Sequence, residues 1–221
     1  MISFKNPRIR YINLLIVILP IITALIIMLI LSYDSILNAF GSSSVTSKDK
    51  EYVIESMDYH LRSNATDYQI EIFKELEDAV ENNDEIKIVE GVAKNFIADV
   101  YTWTNKEDMW DVGGMCYVYS RYRTVTYYEL RDTLYQLMAK SKREFDNSQM
   151  LEVVGVEVTS CEKSNDLFEI ENRKFESYDV ACRLNIIGGN IKGCITHNQY
   201  LTIIKDTDEN GRFEIAVSYG D

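Results

Sequence analysis

The chain has 221 residues and a formal net charge of -12 at pH 7. Nucleic acids are bound through clustered Lys and Arg, so this acidic balance argues against a nucleic-acid-binding protein. The length allows one ordinary domain beside an apolar N-terminal segment, and a domain of that size folds without a metal or a disulfide framework.

An uncharged apolar segment, Leu14 to Leu31, predicts a membrane-spanning helix. With the flanking Tyr11 and Tyr33 it matches the thickness of a bilayer, and tyrosine rings favour the headgroup level. We therefore predict a transmembrane helix at residues 11–33. A cleaved signal peptide is the alternative, although its apolar region would be shorter.

The charges beside this segment predict its orientation. Lys5, Arg8 and Arg10, in a tail of residues 1–10, are the only charged residues before Asp34. Positively charged flanks stay in the cytoplasm, so the rest of the chain is expected on the outer side of the cell membrane, on a single-pass anchor. That outer part has 20 Lys and Arg against 35 Asp and Glu, a balance of -15.

Residues 34–47 include Gly41-Ser42-Ser43-Ser44 and predict a flexible linker. A folded domain is expected at residues 48–221, opening with a helix at residues 49–61. The apolar positions of this helix recur at helical spacing: Val53, Met57 and Leu61.

Three further helices are predicted. Thr66 followed by Gln69 is a capping box that opens the first, and the i, i+3, i+4 spacing from Ile86 to Trp103 predicts the second. Thr126 followed by Glu129 is a capping box that predicts the third. The buried stripe of this last helix would be Tyr127, Leu130, Leu134, Leu137 and Met138.

At Leu151 the apolar pattern changes from helical to alternating, which predicts four antiparallel strands. The last two strands are joined by DTDENG, in which Asn210-Gly211 favours a tight hairpin turn. Helices followed by a strand meander indicate an α+β fold, with helices packed on one face of a curved antiparallel sheet. The second strand would bury Tyr178, Val180, Cys182, Leu184 and Ile186.

The sequence contains no catalytic motif. Asp206 to Gly211 matches the first half of a calcium-binding EF-hand loop, but Val217 stands where the bidentate Glu is required. His60 and His197 lack the spacing of a metal site or a catalytic triad. We expect neither a cofactor nor a metal, although a carboxylate pair in a pocket would leave no sequence signal.

The four cysteines, Cys116, Cys161, Cys182 and Cys194, show no CxxC spacing. Strand alternation predicts that Cys182 faces the core and Cys161 the polar face. Free, partly buried thiols are expected, and if a disulfide forms, Cys182 with Cys194 is the easier pairing.

Five aromatic residues crowd around Gly113-Gly114, and they are Tyr101, Trp103, Trp110, Tyr117 and Tyr119. This density is typical of a pocket or a protein interface, where large aromatic area and polar tips favour binding. Packing in the core is the alternative for the same residues.

Three runs, VAKNFIADVYTWTNKED, DVGGMCYVYSRY and YYELRDTLYQL, followed by four strands, resemble the cone-shaped NTF2-like superfamily. The plan of tail, span, linker and domain is similar to the membrane-anchored VirB8-like and TcpC-like components of bacterial conjugation and type IV secretion machines. The resemblance covers residues 48–219. It implies a non-enzymatic scaffold that forms homo-oligomers and contacts other membrane-complex proteins, with no carried-over active site. The alternative is a ligand-binding or enzymatic pocket lined by the aromatic cluster.

The predicted topology can be tested with protease added to intact cells. Because basic residues precede the apolar segment and none follows it closely, residues from about 34 onward should be digested. An immunoblot against a C-terminal tag measures the loss, with a cytoplasmic protein as the protected control. A domain that is digested only after lysis would contradict the orientation.

Overall fold

The computed structural model describes residues 52–188, 195–209 and 211–220. They belong to a compact unit that runs from Asp49 to Asp221. The predicted transmembrane helix at 11–33 and the linker at 34–47 lie outside the described residues. Within the described part, no helix combines the length and the apolar surface that crossing a bilayer requires.

The described chain begins with a short hairpin of β1 (Val53–Ile54) and β2 (Tyr59–His60). The predicted helix at residues 49–61 is therefore wrong. Asp58 adopts a left-handed conformation, with φ 51° and ψ 39°, which turns the chain back on itself. Tyr59 is fully buried, and its hydroxyl donates to Phe213 O at 2.6 Å and accepts from Phe213 N at 3.2 Å. These contacts with a distant strand stabilise the hairpin, although Val53, Met57 and Leu61 have the spacing of a helix.

Two long helices, α1 (Asp67–Glu81) and α2 (Glu85–Tyr101), follow the hairpin. The predicted capping box is confirmed, because Gln69 N donates to the Thr66 hydroxyl at 3.3 Å and Thr66 N donates to Gln69 Oε1 at 3.0 Å. α2 is capped by Asp84 and is the more deeply buried of the two. It packs against α1 on one side and against the sheet on the other.

The next helical region consists of α3 (Arg123–Asp132) and α4 (Leu134–Glu144) instead of one helix from Thr126. The predicted capping box at Thr126 is wrong, because the chain enters the helix earlier: Tyr119 O accepts from both Tyr122 N and Arg123 N. The helix then breaks at Thr133, which has φ -118° and ψ -85°. The predicted stripe is buried at Met138 and half-buried at Tyr127, Leu130, Leu134 and Leu137.

A five-stranded antiparallel sheet forms the second layer, which confirms the α+β prediction. Its members are β3 (Glu152–Lys163), β4 (Phe168–Ile170), β5 (Arg173–Ile187), β6 (Asn198–Asp206) and β7 (Arg212–Gly220). The spatial order is β3-β5-β6-β7, and the short β4, which the sequence pattern missed, pairs with the start of β5. The predicted core positions of β5, from Tyr178 to Ile186, are all buried.

The DTDENG segment joins β6 to β7, so strands flank it where an EF-hand requires helices. Asp206 pairs with Arg212, and a 3-10 helix at Thr207–Glu209 lies between them. The connection is therefore longer than the tight hairpin turn predicted at Asn210-Gly211. Gly211 has φ 76°, a conformation that glycine adopts without strain.

Two bulges in β3 change the alternation of its side chains. The register with β5 shifts between Val153 and Gly155 and again between Val158 and Ser160. After the second shift Cys161 pairs with the core residue Val180 and packs half-buried against the core. The prediction that Cys161 faces the polar side is wrong, because an extra residue in one strand moves the following side chains to the other face.

A second, small core lies at the end of the sheet and contains Tyr119, Ile170, Phe175 and Ile204. Arg173 closes it: the guanidinium donates to the Tyr119 hydroxyl at 3.0 Å and to Asp206 at 3.0 Å. Tyr119 is thereby fixed next to the start of α3, whose first turn it caps through its carbonyl.

The capping box gives a stability test of the fold. Thr66→Ala removes the side-chain acceptor of Gln69 N and is expected to cost about 1 kcal/mol of unfolding free energy. Thr66→Ser keeps the hydroxyl and should behave like the unchanged chain. Urea denaturation of residues 48–221 measures both, and equal midpoints for the two variants would contradict the role of the cap.

Candidate interaction surface

The five aromatic residues predicted to form a pocket or an interface lie in different environments. Trp103, Tyr117 and Tyr119 are buried, and Tyr101 is half-buried, with its hydroxyl donating to Gln199 Oε1 at 3.1 Å. Trp103, Tyr117 and Tyr119 therefore pack in the core. Trp110 is different, because 57% of its surface is exposed.

The interior between the hairpin, the helices and the sheet is filled with aromatic rings. The rings of Tyr59 and Tyr117 lie 5.2 Å apart, and those of Tyr178 and Phe213 lie 6.0 Å apart edge to face. All four side chains are at most 2% exposed. These four rings are part of the main hydrophobic core of the domain.

The long segment from α2 to α3, which carries most of the aromatic cluster, is tied to α2 by Asp99. Asp99 Oδ1 accepts from Arg62 Nε at 2.9 Å and from Lys106 Nζ at 2.8 Å. Asp99 Oδ2 accepts from the backbone N–H of Gly114 at 2.6 Å. One carboxylate in the last turn of a helix therefore holds three separate parts of the chain.

Arg62 extends this network to the loop that carries Trp110. Its guanidinium donates to Asp111 Oδ1 at 2.8 Å and to Asn105 O at 2.7 Å. Asp111 Oδ2 in turn accepts from Glu107 N at 3.0 Å. The loop is closed on both sides of Trp110 by charge-assisted hydrogen bonds.

The ionisation of the network follows from its burial and its opposite charges. Burial alone would raise the pKa of Asp99, but the nearby Lys106 and Arg62 lower it overall. Burial lowers the pKa of Lys106, whose side chain has no exposed surface, although Asp99 opposes this shift. The carboxylate of Asp99 is thus stabilised in its charged form by its two cationic neighbours, and each partner needs the other to remain buried.

Gly113-Gly114 allows the segment to approach α2 this closely. A Cβ atom at Gly113 would lie 2.2 Å from Asp99 O, and one at Gly114 would lie 2.8 Å from the Phe96 ring. Gly114 also has φ 79°. Gly113 N donates to the Tyr135 hydroxyl at 2.8 Å, which connects α4 to the same point.

Trp110 forms the exposed part of the site together with α3. The Arg131 guanidinium lies 4.7 Å from the centre of the Trp110 ring and 4.5 Å from the centre of the Tyr128 ring. Asp132 fixes the guanidinium in this position by accepting two hydrogen bonds, at 2.6 and 2.8 Å. Trp, Tyr and Arg are the residues most enriched at the energetic centres of protein interfaces.

No residue of α3 is fully buried, so the helix lies on the surface of the domain. Its Val125 and Tyr128 are 57% and 49% exposed. Two Arg residues balance one Glu and one Asp along the helix, which makes it neutral on a strongly acidic domain. We name Trp110, Val125, Tyr128 and Arg131 the α3 surface.

A groove of about 380 Å³ separates α3 from β7. Val125, from the α3 surface, forms one wall, and Ile215 and Val217 of β7 form the other. Phe96 and Val118 also line the groove and are buried. The α3 surface therefore continues into an apolar depression beside the sheet.

Sequence reasoning identified Trp110 but missed Val125, Tyr128 and Arg131. Tyr128 and Arg131 have the i, i+3 spacing that places two side chains on neighbouring positions of a helix. That spacing was the only sequence signal that these two side chains lie next to each other. The contact of Arg131 with Trp110, twenty-one positions earlier, depends on the fold of the intervening chain.

The cysteine thiols and the metal-binding residue types are the remaining candidates for chemistry among the described residues. Burial raises the pKa of Cys116 and Cys161 to about 11 and that of Cys182 to about 12, which keeps these thiols protonated at neutral pH. Cys182 is buried, and Cys194 lies outside the described residues, so a disulfide between them stays a prediction. Across residues 52–188, 195–209 and 211–220, no group of three His, Cys, Asp or Glu side chains could hold a metal ion.

Comparisons with protein families, with curated proteins and with solved structures find no match for this chain.

The Asp99 network predicts a large effect of one substitution. Asp99→Asn leaves the buried Lys106 and the Arg62 guanidinium without a carboxylate, which is expected to cost about 3–5 kcal/mol of unfolding free energy. Asp132→Asn, the same change in an exposed ion pair, should leave the unfolding midpoint unchanged. Urea denaturation of residues 48–221, followed by tryptophan fluorescence, compares the two. Similar midpoints would show that Asp99 does not hold the segment.

Proposed function

We propose that this chain is a non-enzymatic, membrane-anchored scaffold or assembly subunit whose outer domain associates with its own copies and with other membrane-complex proteins. The α3 surface is the proposed site of association. The resemblance to NTF2-like, VirB8-like and TcpC-like proteins supports a place in a conjugation or type IV secretion-like machine.

The observation that carries this proposal is the stack of Trp110, Arg131 and Tyr128. It is exposed, it is held in one conformation by Asp132, and its loop is anchored by the buried Asp99 network. A binding site with rigid aromatic side chains loses little conformational entropy when a partner binds.

Charge supports the same location. The outer part of the chain, with a balance of -15, repels its own copies wherever acidic surfaces face each other. The helix α3 carries two Arg against one Glu and one Asp, and the α3 surface exposes apolar area at Trp110, Val125 and Tyr128. It is a place where two copies, or another acidic protein, can meet without strong repulsion.

The packed interior favours a scaffold over a pocket enzyme. Tyr59, Tyr117, Tyr178 and Phe213 occupy the centre of the domain and make contacts with one another. Ligand sites are usually concave and lined by a few convergent polar groups. The strongest buried polar cluster, around Asp99, is instead satisfied by partners within the protein.

The predicted membrane anchor completes the argument. Confinement to a membrane raises the effective concentration of tethered domains, so a weak interface becomes populated. We expect the full-length chain to associate in membranes and residues 48–221 to be mostly monomeric in solution. This difference is what a scaffold assembled only at its membrane requires.

Trp110→Ala tests the α3 surface directly. Removing an interface tryptophan is expected to weaken association by about 2 kcal/mol, because large aromatic anchors dominate interfaces. A lysine-reactive crosslinker applied to full-length protein in membranes should therefore give less dimer. Leu167→Ala is the matched control, since Leu167 is also an exposed apolar residue, at 56%, in a different part of the domain.

Circular dichroism of both variants shows whether the fold is retained. Undiminished crosslinking of the Trp110→Ala variant would reject the α3 surface as the interface. A full-length protein that stays monomeric at native density would reject the scaffold function itself.

A further inference from the structure

The two edge strands of the sheet differ in their charge. The edge strand β3 carries Glu152, Glu157, Glu162 and Lys163. Charged side chains on an edge oppose pairing with another chain. β7, at the opposite edge, has no charged residue from Ile215 to Gly220. One edge is therefore protected by charge, and the other lacks this protection.

The outer side of β7 is covered only up to Ile215. Val118 forms a parallel bridge with Ile215, and Tyr119 N donates to Ile215 O at 3.0 Å. The chain then turns away into α3. Among the described residues, no strand pairs with the outer edge of residues 216–220, so the backbone donors and acceptors on that side are open to a partner.

The side chains of this open segment suit pairing with an apolar strand. Val217 and Tyr219 are 38% and 59% exposed and lie on the sheet face away from the core, opposite Thr202 and Tyr200. The Tyr219 ring stacks on that of Tyr200, with centres 5.2 Å apart. The groove beside α3 also reaches Val217 and Ser218. An added strand would find apolar contacts with Val217 and Tyr219.

We propose that residues 216–220 of β7 pair in antiparallel fashion with the same residues of a second copy, so that two sheets join into one. This pairing rests on the proposed function, for which it names one partner. A two-fold axis at Ser218 places Val217 beside Tyr219 of the partner subunit, and the reverse contact follows by symmetry. Cross-strand pairs of this aromatic and β-branched type stabilise a sheet.

A second copy is the favoured occupant because of charge. The domain as a whole has an excess of carboxylates. Two β7 edges, in contrast, would meet through the uncharged residues 216–220. The segment contains no proline, so its backbone N–H groups can donate throughout. Both copies would also be held in the same membrane by their predicted anchors.

Cysteine crosslinking of the full-length chain in membranes tests the pairing. Ser218→Cys places two thiols opposite each other at the two-fold axis, and oxidation with copper phenanthroline and oxygen should join them. We expect on the order of tenfold more reducible dimer than for Glu157→Cys, a cysteine on the charged edge, because directly opposed strand residues approach disulfide distance. The chain without either substitution measures the contribution of the native cysteines.

A second pair of variants tests whether the contact is specific. Adding Val217→Lys to Ser218→Cys puts like charges at the centre of the pairing and should reduce the dimer roughly tenfold. Adding Ile187→Lys instead, an equivalent change at a residue that is 49% exposed at the end of β5, should leave the dimer unchanged. Both chains are checked by circular dichroism.

The outcomes separate this inference from the scaffold function. If Ser218→Cys gives no more dimer than Glu157→Cys while the lysine-reactive crosslinker still joins full-length copies, the edge pairing is wrong and the scaffold stands. If the new thiol joins a protein of different mass, the edge belongs to another partner and the self-pairing is likewise overturned. If no reagent joins the copies, both proposals fail.

Discussion

The carboxylate of Asp99 is the contact on which the placement of the exposed surface depends. It receives Arg62 from the chain before α1, Lys106 from the loop after α2, and the backbone of Gly114 before α3. Most of the polypeptide between α2 and α3 lacks regular secondary structure, so it has few backbone hydrogen bonds of its own to define its path. Removing one partner of a buried ion pair costs far more unfolding free energy than removing one partner of an exposed pair. The ion pairs of Asp99 therefore hold the loop in one path.

The two long helices and the central strand could be predicted from the sequence. In α1 and α2 the apolar stripe, the cap and the side that faces the sheet all agree, and such agreement between local and distant interactions is what makes a pattern reliable. β5 runs through the centre of the sheet, so its alternation from Tyr178 to Ile186 directly reports which side chains face the helices.

The remaining elements depend on contacts that sequence spacing does not contain. The hairpin at residues 53–60 forms because Tyr59 binds the backbone of Phe213, and the side of Cys161 is reversed by a bulge. α3 begins at Arg123 because Tyr119 supplies the carbonyl that starts it. For the same reason the aromatic cluster could be located in the sequence but not divided into core and surface, since only the fold decides that Trp103 is enclosed while Trp110 is not.

The absence of any fully buried residue in α3 has a consequence for dynamics. Segments with little buried apolar area open locally at a small fraction of the free energy that global unfolding needs. The contacts of α3 with the Trp110 loop oppose such opening, because Arg131 packs on the Trp110 ring and the Tyr127 hydroxyl donates to Trp110 O. The side chains that form the exposed surface are thus also the ones that attach this helix to the domain.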